Sequence, residues 1–289
     1  MGATLPYVEP MLAVLGEPFD SEEHLFEVKW DGFRALATID GDGLRLRSRR
    51  RLDMTRRFAD LSCLARAGEG VALDGEVVGF TDGRPDFERL LERDAGPVAF
   101  IAFDLLYDRW TSLLARPLHE RRARLAAVVQ RIDDPRVQLS DGVVGAGKAF
   151  FAAITARGFE GVVGKRLDSV YEAGQRTGAW TKAKRVQMVH CVVLGYLAEA
   201  GDLRSLLLGA QDEATGALRY VGRCGSGLDA TTRRAMLPCL RARHRAAPLV
   251  ACSERAQWVE PGVYCVVKFV ERTRSGHLRA PVFVDWSLA

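Results

Sequence analysis

The stretch Glu27-Val28-Lys29-Trp30-Asp31-Gly32-Phe33-Arg34 sets one lysine beside an aspartate, a glycine and an arginine. It closes an alternating, strand-like run of Phe26, Val28 and Trp30. Lysine is scarce in this chain. Of 41 basic residues only Lys29, Lys148, Lys165, Lys182, Lys184 and Lys268 are lysines, and the rest are arginine. A codon bias toward arginine accounts for the scarcity and makes each retained lysine informative. Arginine stays protonated and cannot serve as an amine nucleophile, whereas lysine can. Lys182 and Lys184 alternate in Trp180-Thr181-Lys182-Ala183-Lys184 and so face one side of a strand. Two ammonium groups aimed at one point suit a bound phosphate. Asp74 and Glu76 interrupt an otherwise apolar strand over residues 71–80. Carboxylates in such surroundings are costly unless they are paired or bind something, and two residues apart they share a strand face.

Lys-x-Asp-Gly-x-Arg resembles the nucleotidyl-accepting motif of ATP-dependent DNA ligases and of their covalent nucleotidyltransferase relatives, the RNA ligases and mRNA capping enzymes. Further strings similar to that family follow in order. They are Ser48-Arg49-Arg50, Leu73-Asp74-Gly75-Glu76, Phe103-Asp104-Leu105-Leu106-Tyr107, Glu160-Gly161-Val162-Val163-Gly164-Lys165 and the Lys182/Lys184 pair. The resemblance implies that the Lys29 ε-amine attacks the α-phosphate of ATP to form a phosphoramidate. It also implies nucleotide contacts from Glu27, Arg34, Arg49, Glu76, Phe103, Lys182 and Lys184. Among these, Arg34 and Arg49 would hold phosphate charge, Glu76 the ribose hydroxyls and Phe103 the purine face. Glu160 would carry the divalent metal, Mg2+ or Mn2+, for which one carboxylate completed by waters and phosphate oxygens is chemically adequate. Attack needs the neutral amine, a form that neighbouring cations favour. Lys165 is left open between a contact and a solvated strand end. Pro117-Leu118-His119-Glu120-Arg121-Arg122, also typical of these ligases, is assigned packing and no chemistry.

The implied activity is nick sealing in DNA repair by a ligase of the compact bacterial type. AMP passes from lysine to the 5′-phosphate of nicked double-stranded DNA, and the 3′-hydroxyl then displaces it. Repair polymerases or end-binding proteins are the expected protein partners, with the chain a monomer in the cytoplasm, nucleoid-associated in a bacterium. An RNA ligase or capping-type enzyme is the related alternative, separable in part by ATP against GTP. A second alternative comes from the C-terminal stretch. Leu278-Arg279-Ala280-Pro281-Val282-Phe283 resembles the approach to the last family motif, normally Arg-x-Asp-Lys, but Val284-Asp285-Trp286-Ser287-Leu288-Ala289 contains no arginine or lysine. Arg272, Arg274 and Arg279 are candidate substitutes. Without one, the chain would be a nicked-DNA binding module with impaired self-adenylation.

The elements that must position these residues follow from periodicity. Residues 1–25, with Pro6, Pro10 and Pro18, read as an extended lead-in. The Lys29 strand is expected to run on into a hairpin turned at Asp40-Gly41-Asp42-Gly43. Residues 54–64, 113–129 and 150–157 have helical spacing, and Pro117 suits a helix start. From Met188 onward short strands at 191–196, 203–209, 218–224 and 263–270 surround one helix at 231–245. The expectation is an α+β chain. Residues 1–187 form an adenylation domain of antiparallel sheets with flanking helices, and 188–289 an OB-type β-barrel for nucleic acid. Gly222-Arg223-Cys224-Gly225-Ser226-Gly227 is read as a turn rather than a phosphate loop, for want of a strand–helix unit around it.

At 289 residues, 48% hydrophobic and 27% charged, the chain has the make-up of an ordinary globular protein with room for two cores. No apolar run reaches the roughly 18 residues of a membrane span, and no signal peptide is read at the N-terminus. Cysteines 63, 191, 224, 239, 252 and 265 show no Cys-x-x-Cys spacing and read as reduced thiols. The net charge of +4 falls wholly after Gln187, which points the second part toward a polyanion.

Overall fold

A computed structural model describes residues 2–92, 96–212, 215–273 and 275–289. The chain divides into two compact units, Met1–Arg185 and Val186–Ala289. The first runs β1 (Leu12–Leu15), β2 (Ser21–Val28), β3 (Phe33–Asp40), β4 (Gly43–Ser48), β5 (Val71–Thr81), β6 (Arg84–Pro85), β7 (Val98–Asp108) and β8 (Thr111–Ser112). It continues with α1 (Leu118–Ile132), β9 (Val137–Leu139), β10 (Gly142–Gly145), α2 (Gly147–Ala156), β11 (Gly161–Arg166) and β12 (Arg176–Lys184).

Two sheets result. One has the order β1-β12-β11-β2-β10; the other has β4-β3-β5-β7-β8, with β6 on β5 and β9 on β7. β5 and β7 are apolar nearly throughout, as strands covered on both faces must be. Phe58, Leu61, Leu64, Leu73, Phe100, Leu105, Leu125 and Val128 close the core between the second sheet, α1 and a 3-10 helix at Ala59–Ala67. That short helix takes the place of the longer one expected over 54–64. The lead-in is not uniformly extended coil either, since Leu12–Leu15 pairs in parallel with β12.

The Asp40–Gly43 hairpin forms between β3 and β4 as expected. The Lys29 strand does not continue into it. β2 ends at Val28 in the five-stranded sheet and β3 begins at Phe33 in the other. Lys29-Trp30-Asp31-Gly32 is therefore the crossing between sheets. Gly32 is required there, because a Cβ would lie 2.2 Å from the Val77 carbonyl oxygen.

The second unit contains β13 (Gln187–Glu199), β14 (Asp202–Gln211), β15 (Leu218–Cys224), α3 (Ala230–Arg241), β16 (His244–Arg245), β17 (Gln257–Val259), β18 (Val263–Phe269) and β19 (Val282–Leu288). β15, β14, β13, β18 and β19 pair in succession, and a parallel bridge between Ser226 and Val282 joins the last back to the end of β15. The loop after Cys224 does lie between a strand, β15, and a helix, α3, contrary to the sequence reading. The α3 N-terminus is capped from within, however, by Asp229 accepting from the Thr232 amide at 2.7 Å. Among the described residues, no helix is long and apolar enough to cross a membrane.

Candidate active site

Register in the five-stranded sheet builds the site. On β11, Val163 pairs with Glu27 on one side and Lys182 on the other, while Gly161 pairs with Lys184 and accepts the Lys29 amide at 2.9 Å. Alternation then puts Glu27, Lys29, Lys182 and Lys184 on one sheet face in two adjacent cross-strand rows. Gly161, at φ +154°, brings the strands this close; its Cβ would lie 2.0 Å from the Ala183 carbonyl oxygen. Glu160, one residue before β11, is ion-paired with Lys29 through Oε2 and with Lys184 through Oε1 at 2.5 Å. Burial alone would raise its carboxyl pKa, but Lys29 and Lys184 outweigh burial and hold it below the usual value. Burial, then Lys184, Arg176 and Lys29, depress Lys182.

The face lines a pocket of about 830 Å³ between the two sheets of the first unit, with Lys29, Arg34, Arg49, Glu76, Phe103, Lys182 and Glu27 all on its walls. Six of the seven expected nucleotide contacts thus reach one cavity, from strands far apart in sequence, while Lys184 is not on its wall and meets the site through Glu160. Arg49 is exposed at its rim, just past β4. Glu76 stands half-buried on the wall, and burial pushes its carboxyl up to about 8 against the pull of Arg34 and Lys29. Asp74 and Glu76 do not act as a pair on the pocket. Asp74 is fully buried behind the wall, where it accepts from Arg34 Nε and Nη2 at 2.6 and 2.5 Å and from the Tyr171 hydroxyl at 2.6 Å.

Arg34 consequently stands apart from the lysines. Its guanidinium is neutralised by Asp74, donates to the Met11 carbonyl, and lies 4.6 Å from the Phe103 ring centre. This differs from the expected role on the phosphates. Phe103 itself is 9% exposed, with Lys165 Nζ 4.3 Å from its ring centre and Trp180 edge-on at 6.2 Å. A purine on Phe103 therefore meets a ring already flanked by two cations.

Lys165 is no solvated strand end. It is 2% exposed, ion-paired with Glu27 Oε2, and burial lowers its pKa. The arginine pair of the α1 start is not plain packing material. Arg121 is fully buried and forms a bidentate pair with Asp104 at 2.7 and 2.8 Å. Arg122 reaches Glu27, with Nη1 2.8 Å from Oε1. Tyr171, which links Asp74 to the Met11 amide, belongs to no quoted motif and was not legible from spacing. Arg274 lies outside the described residues. Arg279 is paired with Glu271 at 2.5 Å.

Among the described residues no three His, Cys, Asp or Glu side chains group as a metal cage. Glu160 offers two carboxylate oxygens beside Lys29, so a divalent ion here fits as one carboxylate ligand completed by phosphate oxygens and water.

A partly buried lysine amine, a carboxylate bridging it to a second ammonium, and an adjoining cavity of nucleotide size are the parts that covalent nucleotide transfer requires. The family profile described as ATP dependent DNA ligase domain matches residues 10–184, and that of the ATP dependent DNA ligase C terminal region matches 199–287. The chain belongs to the ATP-dependent DNA ligase family. It is 34% identical to the multifunctional non-homologous end joining protein LigD of Pseudomonas aeruginosa, over 96% of this chain and 35% of that protein. Over 97% of its length it is 29% identical to the SPbeta prophage-derived DNA ligase-like protein LigB of Bacillus subtilis, covering 99% of that protein. A structure of mycobacterial DNA ligase D complexed with ATP and MES matches 97% of this chain and 95% of its own, at 31% identity and a TM-score of 0.61. The chain thus spans about a third of the Pseudomonas LigD and nearly the whole of the prophage protein.

Proposed function

We propose that this chain is an ATP-dependent DNA ligase that seals nicks through a lysyl-AMP on Lys29. Residues 1–187 would be the adenylation domain, and 188–289 an OB-type barrel that holds DNA, in an α+β whole. The observation that carries the reading is the pair of cross-strand rows gathering Lys29, Lys182 and Lys184 on one sheet face, with Lys29 and Lys182 on the cavity wall and Glu160 bridging Lys29 and Lys184.

Chemistry at the site follows from those contacts. Glu160 engages Lys29, so the amine must part from this carboxylate before it can attack. Triphosphate drawn to Lys182, Lys184 and Arg49 supplies the competing negative charge that lets the lysines part from Glu160. Lys29 gives one ammonium proton to water, and its neutral Nζ then bonds the α-phosphorus and sheds a second proton to water as the bond to pyrophosphate breaks. Glu160 would hold a divalent ion, which would supply charge neutralisation on the phosphates. Glu76 faces the ribose. Arg34, fixed among Phe103 and Trp180, supports the base side of the cavity. AMP then passes to a DNA 5′-phosphate, and the 3′-hydroxyl of the nick displaces it.

The test is incubation with α-labelled ATP and Mg2+ followed by denaturing electrophoresis, then assay on nicked duplex DNA. Label on the wild type and none on Lys29→Ala is expected, with nick sealing following. A second reading draws on β19, which carries Asp285 and Trp286 where the family motif has cations. It is a nick-binding protein that forms no covalent AMP. Unlabelled protein, shown by mass spectrometry not to be already adenylated, would favour it.

A further inference from the structure

Glu27 is 1% exposed and faces the pocket, yet its carboxylate is shared between two cations of different kinds. Lys165 is bonded to Oε2 and also points its ammonium toward the Phe103 carbonyl at 3.4 Å. Arg122, from α1, anchors Nη2 on the Ser140 carbonyl at 2.6 Å and brings Nη1 to 2.8 Å from Oε1. That last approach is an ion pair without hydrogen-bond geometry: Glu27 Oε1 and Arg122 Nη1 are both buried and neither has a hydrogen-bond partner. A buried lysine and a partly buried arginine thus converge on the one Glu27 carboxylate. Buried polar atoms without partners are rare and call for a reason.

We propose that Arg122 is a positioning residue for nucleobase selection, acting through Glu27. The inference rests on the ligase reading above and adds how that site chooses its nucleotide. With Lys165 holding one oxygen, Arg122 sets the orientation of the other without saturating it, so that Oε1 stays an acceptor. Adenine offers an exocyclic amine to such an oxygen. Guanine offers a carbonyl oxygen at the same place, which an ionised carboxylate repels. A site built to accept an N–H discriminates far more sharply than an apolar slot can.

The experiment uses the full chain, as wild type, Arg122→Gln and Arg122→Lys, with ATP and GTP. Equilibrium binding of each nucleotide is measured by dialysis, and lysyl-nucleotide formation by label, with thermal melts to verify folding. The expected result is a fall of about tenfold or more in the ATP-to-GTP preference of Arg122→Gln, seen in binding and in KM with kcat less affected. Arg122→Lys should lie between, since its ammonium keeps the charge but cannot hold Ser140 and Glu27 together. It also carries the test should the glutamine variant not fold. An unchanged ATP-to-GTP ratio in a folded variant would overturn the positioning role. Absence of label on the wild type would instead overturn the lysyl-AMP reading, while the binding ratios would still decide the role of Arg122.

Discussion

At the scale of single residues, Glu76 on the pocket wall and Glu160 beside Lys29 are carboxyls whose surroundings push them in opposite directions. Glu160 is lowered by its two lysines, and Glu76 is raised by burial from an ordinary 4.5 to about 8. At neutral pH Glu76 is therefore largely protonated in the folded state and ionised when unfolded. Its contribution to stability is fully present below about 4.5 and is lost as pH rises toward about 8. Melting temperature measured across that window should decline, and Glu76→Gln should remove part of the decline. A variant that tracks the wild type at every pH would show that Glu76 titrates normally. Glu160 has a different task. Glu160→Gln takes away the charge that bridges Lys29 and Lys184 and that would hold a divalent ion. The initial rate of labelling from ATP should drop about 10²-fold or more, and raising Mg2+ should not restore it. Wild-type rates in the variant would remove Glu160 from the chemistry.

Elements explain how the residues come together, and the limit of what spacing can reveal. The motif strings were legible because each carries its chemistry in adjacent residues: Lys29 with Gly32, Asp74 with Glu76, Lys182 with Lys184. The change of sheet at residues 29–32 was not, since an alternating run followed by an apolar one reads as one strand either way. Arg122 escaped for a similar reason. Its helix shows a charged turn in sequence, and only the packing of α1 on β7 and β9 brings it to Glu27. The same crossing gives a paired prediction on glycines. Gly32→Ala forces a Cβ to 2.2 Å from the Val77 carbonyl and 2.9 Å from the Glu76 side chain. It should cost about 1–3 kcal/mol in denaturant unfolding, as overpacked sites do, and should reduce labelling by shifting Lys29. Gly178→Ala, within β12 but with nothing inside 4 Å of its Cβ, should be neutral or slightly stabilising. Equal effects at the two positions would contradict the close approach at the crossing. Removing Arg121 from its fully buried pair with Asp104 is a harsher change. Arg121→Met should cost about 3–5 kcal/mol, because the buried Asp104 loses both guanidinium hydrogen bonds.

For the molecule as a whole, the uneven charge deserves a test of its own. The first 187 residues carry no net charge, and the entire +4 lies beyond them. The second unit bears a cleft of about 850 Å³ lined by Arg204, Arg223, Ser205, Gly225 and Ser226. Arg204 is paired with Glu199 at 3.0 Å, but both side chains are more than half exposed. Such a pair is worth little and yields readily to a stronger anion. If the ligase reading holds and this cleft meets the DNA backbone, each arginine neutralises one phosphate and releases the counterion that was there. The slope of log affinity against log salt should then fall by roughly 0.9 per arginine removed. Arg204→Gln with Arg223→Gln should therefore weaken nick binding and flatten that slope by about 2. Neither residue lines the nucleotide pocket, so lysyl-AMP formation from ATP should continue at the wild-type rate. The measurement is a salt titration of nicked-duplex binding for wild type and double variant, with labelling as the control. A parallel displacement of the two salt lines, with no change in slope, would mean that the arginines support the barrel rather than touch phosphate. An unchanged line would move the DNA contact to another face of the unit.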